Sequence, residues 1–127
     1  MLIVFISSCA KSDVLKPAAG TANVTGRAVS VNTGNPYADT YVWLADIYRN
    51  DSGGGAYALD TSSTLHTTTD SEGNYIFKDI KPGEYVLLFG DPMSKYFIVA
   101  DENHVPKIWV VEVDSTLEIG TLKIDLD

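Results

Sequence analysis

Four groups of residues in this 127-residue chain have types that do chemistry elsewhere. Cys9 is the single cysteine, and a thiol can act as a nucleophile, a metal ligand or a point of acylation. His66 and His104 are the only histidines, so imidazole acid–base or metal chemistry must use them. Asp70-x-Glu72-x-Asn74 sets oxygen ligands at alternate positions, as calcium loops do. Trp43, Trp109, Tyr41 and Tyr37 offer ring faces on which a sugar could stack.

Each group has a plainer reading. An EF-type loop needs Gly at its sixth position and Glu at its twelfth, and counting from Asp70 those are Tyr75 and Lys81. The same residues make a good turn, so no metal and no other cofactor is expected. Neither histidine belongs to a motif, and no Gly-x-Ser-x-Gly elbow is present. The chain reads as no enzyme. The aromatics are large enough to fill the inner faces of a sandwich, and core is the stronger expectation for Trp43 and Trp109.

Cys9 is different because of what precedes it. Residues 1–8, MLIVFISS, form an apolar run closing in two small residues, and Ile6-Ser7-Ser8-Cys9 fits a bacterial lipobox. Residues 1–8 are therefore expected to be the end of a secretory signal, with Cys9 the site of lipid attachment. The run lacks a preceding Lys or Arg, which a start further upstream would supply. Residues 9–20 are polar and small, and read as a lipid-anchored flexible tether. The implied address is extracytoplasmic, on a bacterial membrane in the periplasm or at the cell surface.

Nine basic side chains against seventeen acidic give a net charge of −8. Such a surface repels phosphate backbones, and no basic cluster reverses that locally, so nucleic acid is excluded as a partner. Hydrophobic residues make up 45%, enough for one domain with its own core.

The elements that position these groups read as strands. Residues 21–31, 40–48, 63–69, 74–77, 85–89, 95–100, 108–113 and 117–126 are rich in β-branched and aromatic residues or alternate with period two. Asp70-Ser71-Glu72-Gly73 reads as a hairpin turn, Pro82-Gly83 as a type II turn, and Gly120 as a bulge or bend. Residues 50–57, NDSGGGAY, read as a mobile loop that cannot pack. No segment carries helical apolar spacing. The fold class is all-β: a seven- to eight-stranded antiparallel Greek-key β-sandwich over residues 21–127.

The stretch Val24-x-Gly26-x-Ala28, then Thr33-Gly34-Asn35-Pro36-Tyr37-Ala38, Val42-x-Leu44, Thr69-Asp70-Ser71-Glu72-Gly73-Asn74-Tyr75-x-Phe77 and Ile80-x-Pro82-Gly83-x-Tyr85-x-Leu87 resembles the carboxypeptidase regulatory-like domain. Its transthyretin-like and Cna-B-like relatives share the pattern. The resemblance implies a prealbumin-like sandwich serving as a non-catalytic accessory, spacer or binding module. A fibronectin-type sandwich also fits Ile80-x-Pro82 with Tyr85, where the phenol ties back to nearby backbone as a tyrosine corner. The hydroxyisourate hydrolase of the transthyretin-like group carries a C-terminal Tyr-Arg-Gly-Ser, which is absent here. The Cna-B-like isopeptide needs a first-strand Lys, where this chain has Arg27.

The expected function is a non-enzymatic extracytoplasmic lipoprotein domain, acting as a surface-structural or protein-interaction module. The alternative is a small carbohydrate-binding lipoprotein using exposed aromatic residues. Its partners would be the membrane, through the lipidated cysteine, and an unknown cell-surface protein or glycan. Trp43, Trp109, Asp51 and Tyr57 are the candidate binding residues, the last two from the glycine loop.

Overall fold

The computed structural model describes residues 16–52, 54–60, 62 and 64–127. Nine strands follow in order among them: β1 (Ala22–Ser30), β2 (Tyr41–Arg49), β3 (Gly55–Tyr57), β4 (Leu65–Thr68), β5 (Asn74–Ile80), β6 (Gly83–Gly90), β7 (Tyr96–Ile98), β8 (Ile108–Val111) and β9 (Thr116–Ile124). They form a small sheet, β5-β1-β9, and a large six-stranded one. Pairing is antiparallel except between β1 and β9, which run parallel. The all-β sandwich read from the sequence is the fold observed.

The large sheet is built as two equivalent halves. β2 pairs β4 along its first residues and β3 along its last, while β6 pairs β8 along its first residues and β7 along its last. β2 and β6 then pair with each other at the centre. Alternation decides what each face does. Val42, Leu44, Tyr85, Leu87 and Phe89 turn inward onto Val24, Ala28, Tyr75, Phe77 and Ile124 of the small sheet. Trp43, Ala45, Val86 and Leu88 turn outward, yet they too are buried, beneath Ile47, Tyr57, Leu59 and Ile98. This is why β2 and β6 are apolar on both faces: they are central strands lying under a partner.

Four local expectations need correction. The ninth strand is β3, inside the stretch expected to be a mobile loop. Strand pairing needs only backbone, and Tyr57 beyond the glycines has a side chain to pack. The arms of the Asp70 turn do not form a hairpin ladder, since β4 pairs β2 in the large sheet and β5 pairs β1 in the small one. Pro82-Gly83 is not a type II turn: Gly83 has φ 157° and opens β6. Residues 81–82 cross between sheets instead of reversing within one, just after a bulge in β5 at which Asp79 has φ 54° and beyond which Ile80 still pairs Ala22. Finally, β9 departs from a wholly antiparallel scheme because it runs alongside β1 in the same direction.

Other features follow the sequence reading. Thr25 pairs Glu118 and Gly26 pairs Gly120, leaving Ile119 as the extra residue of a bulge at which Gly120 has φ 82°. The Tyr85 hydroxyl donates to the Lys81 carbonyl, the tie-back of a tyrosine corner. Burial, and secondarily the Asp46 charge, push its pKa up to about 12.

Candidate functional site

The aromatic platform is not assembled. Trp43 is 4% exposed. Its register places it between His66 on β4 and Leu88 on β6, its ring lies 4.6 Å from that of His66, and its indole N–H donates to the Gly90 carbonyl at 2.9 Å. Trp109 is half-buried against the inner core, and the Lys107 ammonium sits 4.2 Å from the centre of its ring. The Tyr37 hydroxyl donates to Asp127 at 2.8 Å and accepts from the Leu126 N–H at 3.0 Å. Of the four rings, only Tyr41 stays as much as 48% exposed. Trp43 is therefore too buried to offer a stacking face, and the part of Trp109 left at the surface carries the Lys107 ammonium over its ring.

The other singled-out residues also have structural employment. Four turns share one design: residue one donates its N–H to the carbonyl four residues on, and its side-chain oxygen accepts the N–H two residues on. They open at Asn50, Asp70, Asp91 and Asp101. This is the Asx-turn preference of short polar side chains. Asp70 accepts from Glu72 and Asn74, each at 2.9 Å, so the calcium-like triplet is a turn closing on itself. The N–H donors of Asn74 and Glu72, with a smaller contribution from the Arg27 charge, hold its carboxyl below the usual range. His104 lies in the Asp101 turn with φ 62°, and His66 lies on β4 against Trp43. Among the described residues, no three His, Cys, Asp or Glu could hold a metal ion. Asp51 is exposed at the tip of the Asn50 turn, and Tyr57 lines a hollow of about 440 Å³ with Ile47, Val86 and Ile108. Cys9 lies outside the described residues.

What sequence reasoning missed is a groove of about 870 Å³ over the outer face of the small sheet. Val24 and Ala28 point inward, so Thr25 and Arg27 between them point out. The registers then set two rows across the sheet. Asn74, Arg27 and Thr121 lie side by side on β5, β1 and β9, and Ile76, Thr25 and Glu118 form the neighbouring row. Residues 67–70 make the wall. Between the rows, Tyr75, Gly26 and Gly120 are aligned; the Tyr75 ring lies against Gly26 where a Cβ would stand, and its buried hydroxyl has no hydrogen-bond partner among the described residues. The Arg27 Nε–H donates to the Glu72 carbonyl at 2.8 Å. No local motif announces such a site, because its residues come from three strands far apart in sequence.

No family model matches this sequence, and no curated protein matches it. Among solved structures, the chain is similar to a "putative carbohydrate binding protein" from Pseudomonas aeruginosa, at 16% identity and a TM-score of 0.51, over 84% of this chain and 92% of that one. It is also similar to the pilus 2b backbone protein of group B streptococcus, at 13% identity and a TM-score of 0.47 over 80% of this chain. The major pilin subunit of Bacillus cereus gives 12% and 0.47 over 84%. The chain spans 40% and 30% of those two pilins. At such identities the likeness to the Pseudomonas protein is one of fold.

Proposed function

We propose that this chain is a non-enzymatic, extracytoplasmic module of structural or binding type, with a prealbumin-like fold, held to a bacterial membrane by a lipid on Cys9. The observation that carries the module reading is the employment of its reactive side chains. Asp70, Asp91 and Asp101 close their own turns, and Asp127 is held by Ser30, Asn32 and Tyr37. Tyr85 anchors a chain crossing and His66 covers a core tryptophan. These are scaffold duties. The membrane address is supported by the apolar run and small residues directly before Cys9. The pilins of similar structure and the Pseudomonas protein are consistent with a surface or binding role, and the partner here is a surface protein or glycan.

The test is metabolic labelling of the protein in a bacterial host with a traceable fatty acid, beside Cys9→Ser. The expected result is label in the wild type that disappears in the variant while the protein still accumulates. A wild type that is exported but takes up no label would remove the membrane part of the proposal.

A further inference from the structure

We propose that the groove across β5, β1 and β9 binds a neutral saccharide, with Arg27 as its central hydrogen-bond donor. The inference rests on the reading of the domain as a binding module and names the ligand class of its groove.

Shape comes first. A volume of about 870 Å³ falls within the range of small-molecule clefts, roughly 300–1,000 Å³. Neighbouring strands stand about 4.8 Å apart, so the row Asn74, Arg27, Thr121 presents polar groups over about 10 Å, comparable to two linked sugar rings. The row lies on paired strands and not on loops, which fixes its spacing.

The chemistry of the row selects the ligand. The bond from Arg27 Nε to the Glu72 carbonyl pins the guanidinium, while its two terminal nitrogens make no hydrogen bond among the described residues. That is a rigid, pre-set donor fork. Glu118, opposite Thr25 in the neighbouring row, is an acceptor only, and the hydroxyls of Thr25 and Thr121 both donate and accept. A polyol is the ligand whose every hydroxyl does both. Ile76 and the threonine methyls supply apolar area for the C–H faces of sugar rings.

Charge then separates saccharides from anions. Among the described residues, Arg27 is the one cation lining the groove, and Asp70 and Glu118 line it too. The chain carries −8. A phosphate or an acidic polysaccharide therefore meets no net positive field, whereas a neutral sugar meets mixed donors and acceptors without that penalty.

The experiment is an NMR titration of the folded wild-type protein, following backbone amides, with cellotetraose, mannotetraose, maltotetraose and chitotetraose in turn, and polygalacturonate as the anionic comparison. Saturable shifts at Gly26, Gly120 and Thr121 are expected for a neutral sugar, with Arg27→Ala weakening binding about tenfold or more, the effect of losing a charge-assisted hydrogen bond. Arg27→Lys, which keeps the charge and loses the fork, should weaken it as well, and an unchanged amide spectrum elsewhere checks that both variants fold. Shifts centred on Tyr41 and His66 or on Tyr57, or binding indifferent to Arg27, would overturn the groove assignment while leaving a binding module. Silence toward all four sugars at millimolar concentration would overturn the ligand class, and preference for polygalacturonate would overturn its neutrality.

Discussion

His104 occupies in the turn after β7 the place that Gly73 occupies in the turn after β4. Each is the fourth residue of a turn opened by aspartate, each donates its N–H to that aspartate's carbonyl, and each has positive φ, 62° and 82°. Glycine adopts this conformation freely, whereas another L-residue is strained by roughly 1 kcal/mol. His104→Gly is therefore expected to raise stability by about 0.5–1 kcal/mol, read as a higher urea midpoint at unchanged slope. A drop would mean that the imidazole makes a stabilising contact. The tyrosines give a second prediction. Burial holds Tyr75 protonated well above the ordinary 10.0 and, with Asp46, raises Tyr85 to about 12. Above pH 10 the unfolded chain binds fewer protons than the folded one, so stability present below that pH declines as it rises toward 12. Urea midpoints across this range should fall, and Tyr85→Phe should flatten the fall while losing the tie to Lys81.

At the scale of strands, the informative contact is between β1 and β5. Gly26 faces Tyr75 across the pair, and a Cβ on residue 26 would overlap the phenol ring. Gly26→Ala is expected to cost about 1–3 kcal/mol, as overpacking does. In Tyr75→Leu the ring is gone, so adding Gly26→Ala to that variant should cost much less, and thermal or urea unfolding of the four proteins measures the difference as a coupling. Equal costs in both backgrounds would show that Gly26 is required by its backbone and not by its neighbour. The same alternation puts Val24, Ala28 and Phe77 of these strands inside and leaves Thr25, Arg27 and Ile76 to line the groove outside.

For the molecule as a whole, the closing contact is the one that brings the last residues back to the β1–β2 connection. Asn32, Ser30 and Tyr37 all donate to the Asp127 carboxylate, which together with a smaller contribution from the Lys95 charge keeps it ionised to lower pH than usual. Tyr37→Phe should free the Leu126 amide, speeding its hydrogen exchange, at a cost of about 1 kcal/mol and without loss of the fold. Unchanged exchange would show that the segment is held by packing alone. What could be known from residues alone was local. Alternation gave eight of nine strands, the chemistry of Asp70 and Gly73 gave a turn, Gly120 gave a bulge and Tyr85 gave its corner, because each depends on neighbours a few positions away. Tertiary structure decided which sheet each strand joins, that β4 and β5 part company after a good turn, and that β1 and β9 run parallel. It also decided that Trp43, on the outward face of its sheet, is nevertheless covered. The groove belongs to the same class: Arg27, Asn74 and Glu118 become neighbours only when β1, β5 and β9 are paired in register, and nothing within any one of those strands encodes the other two.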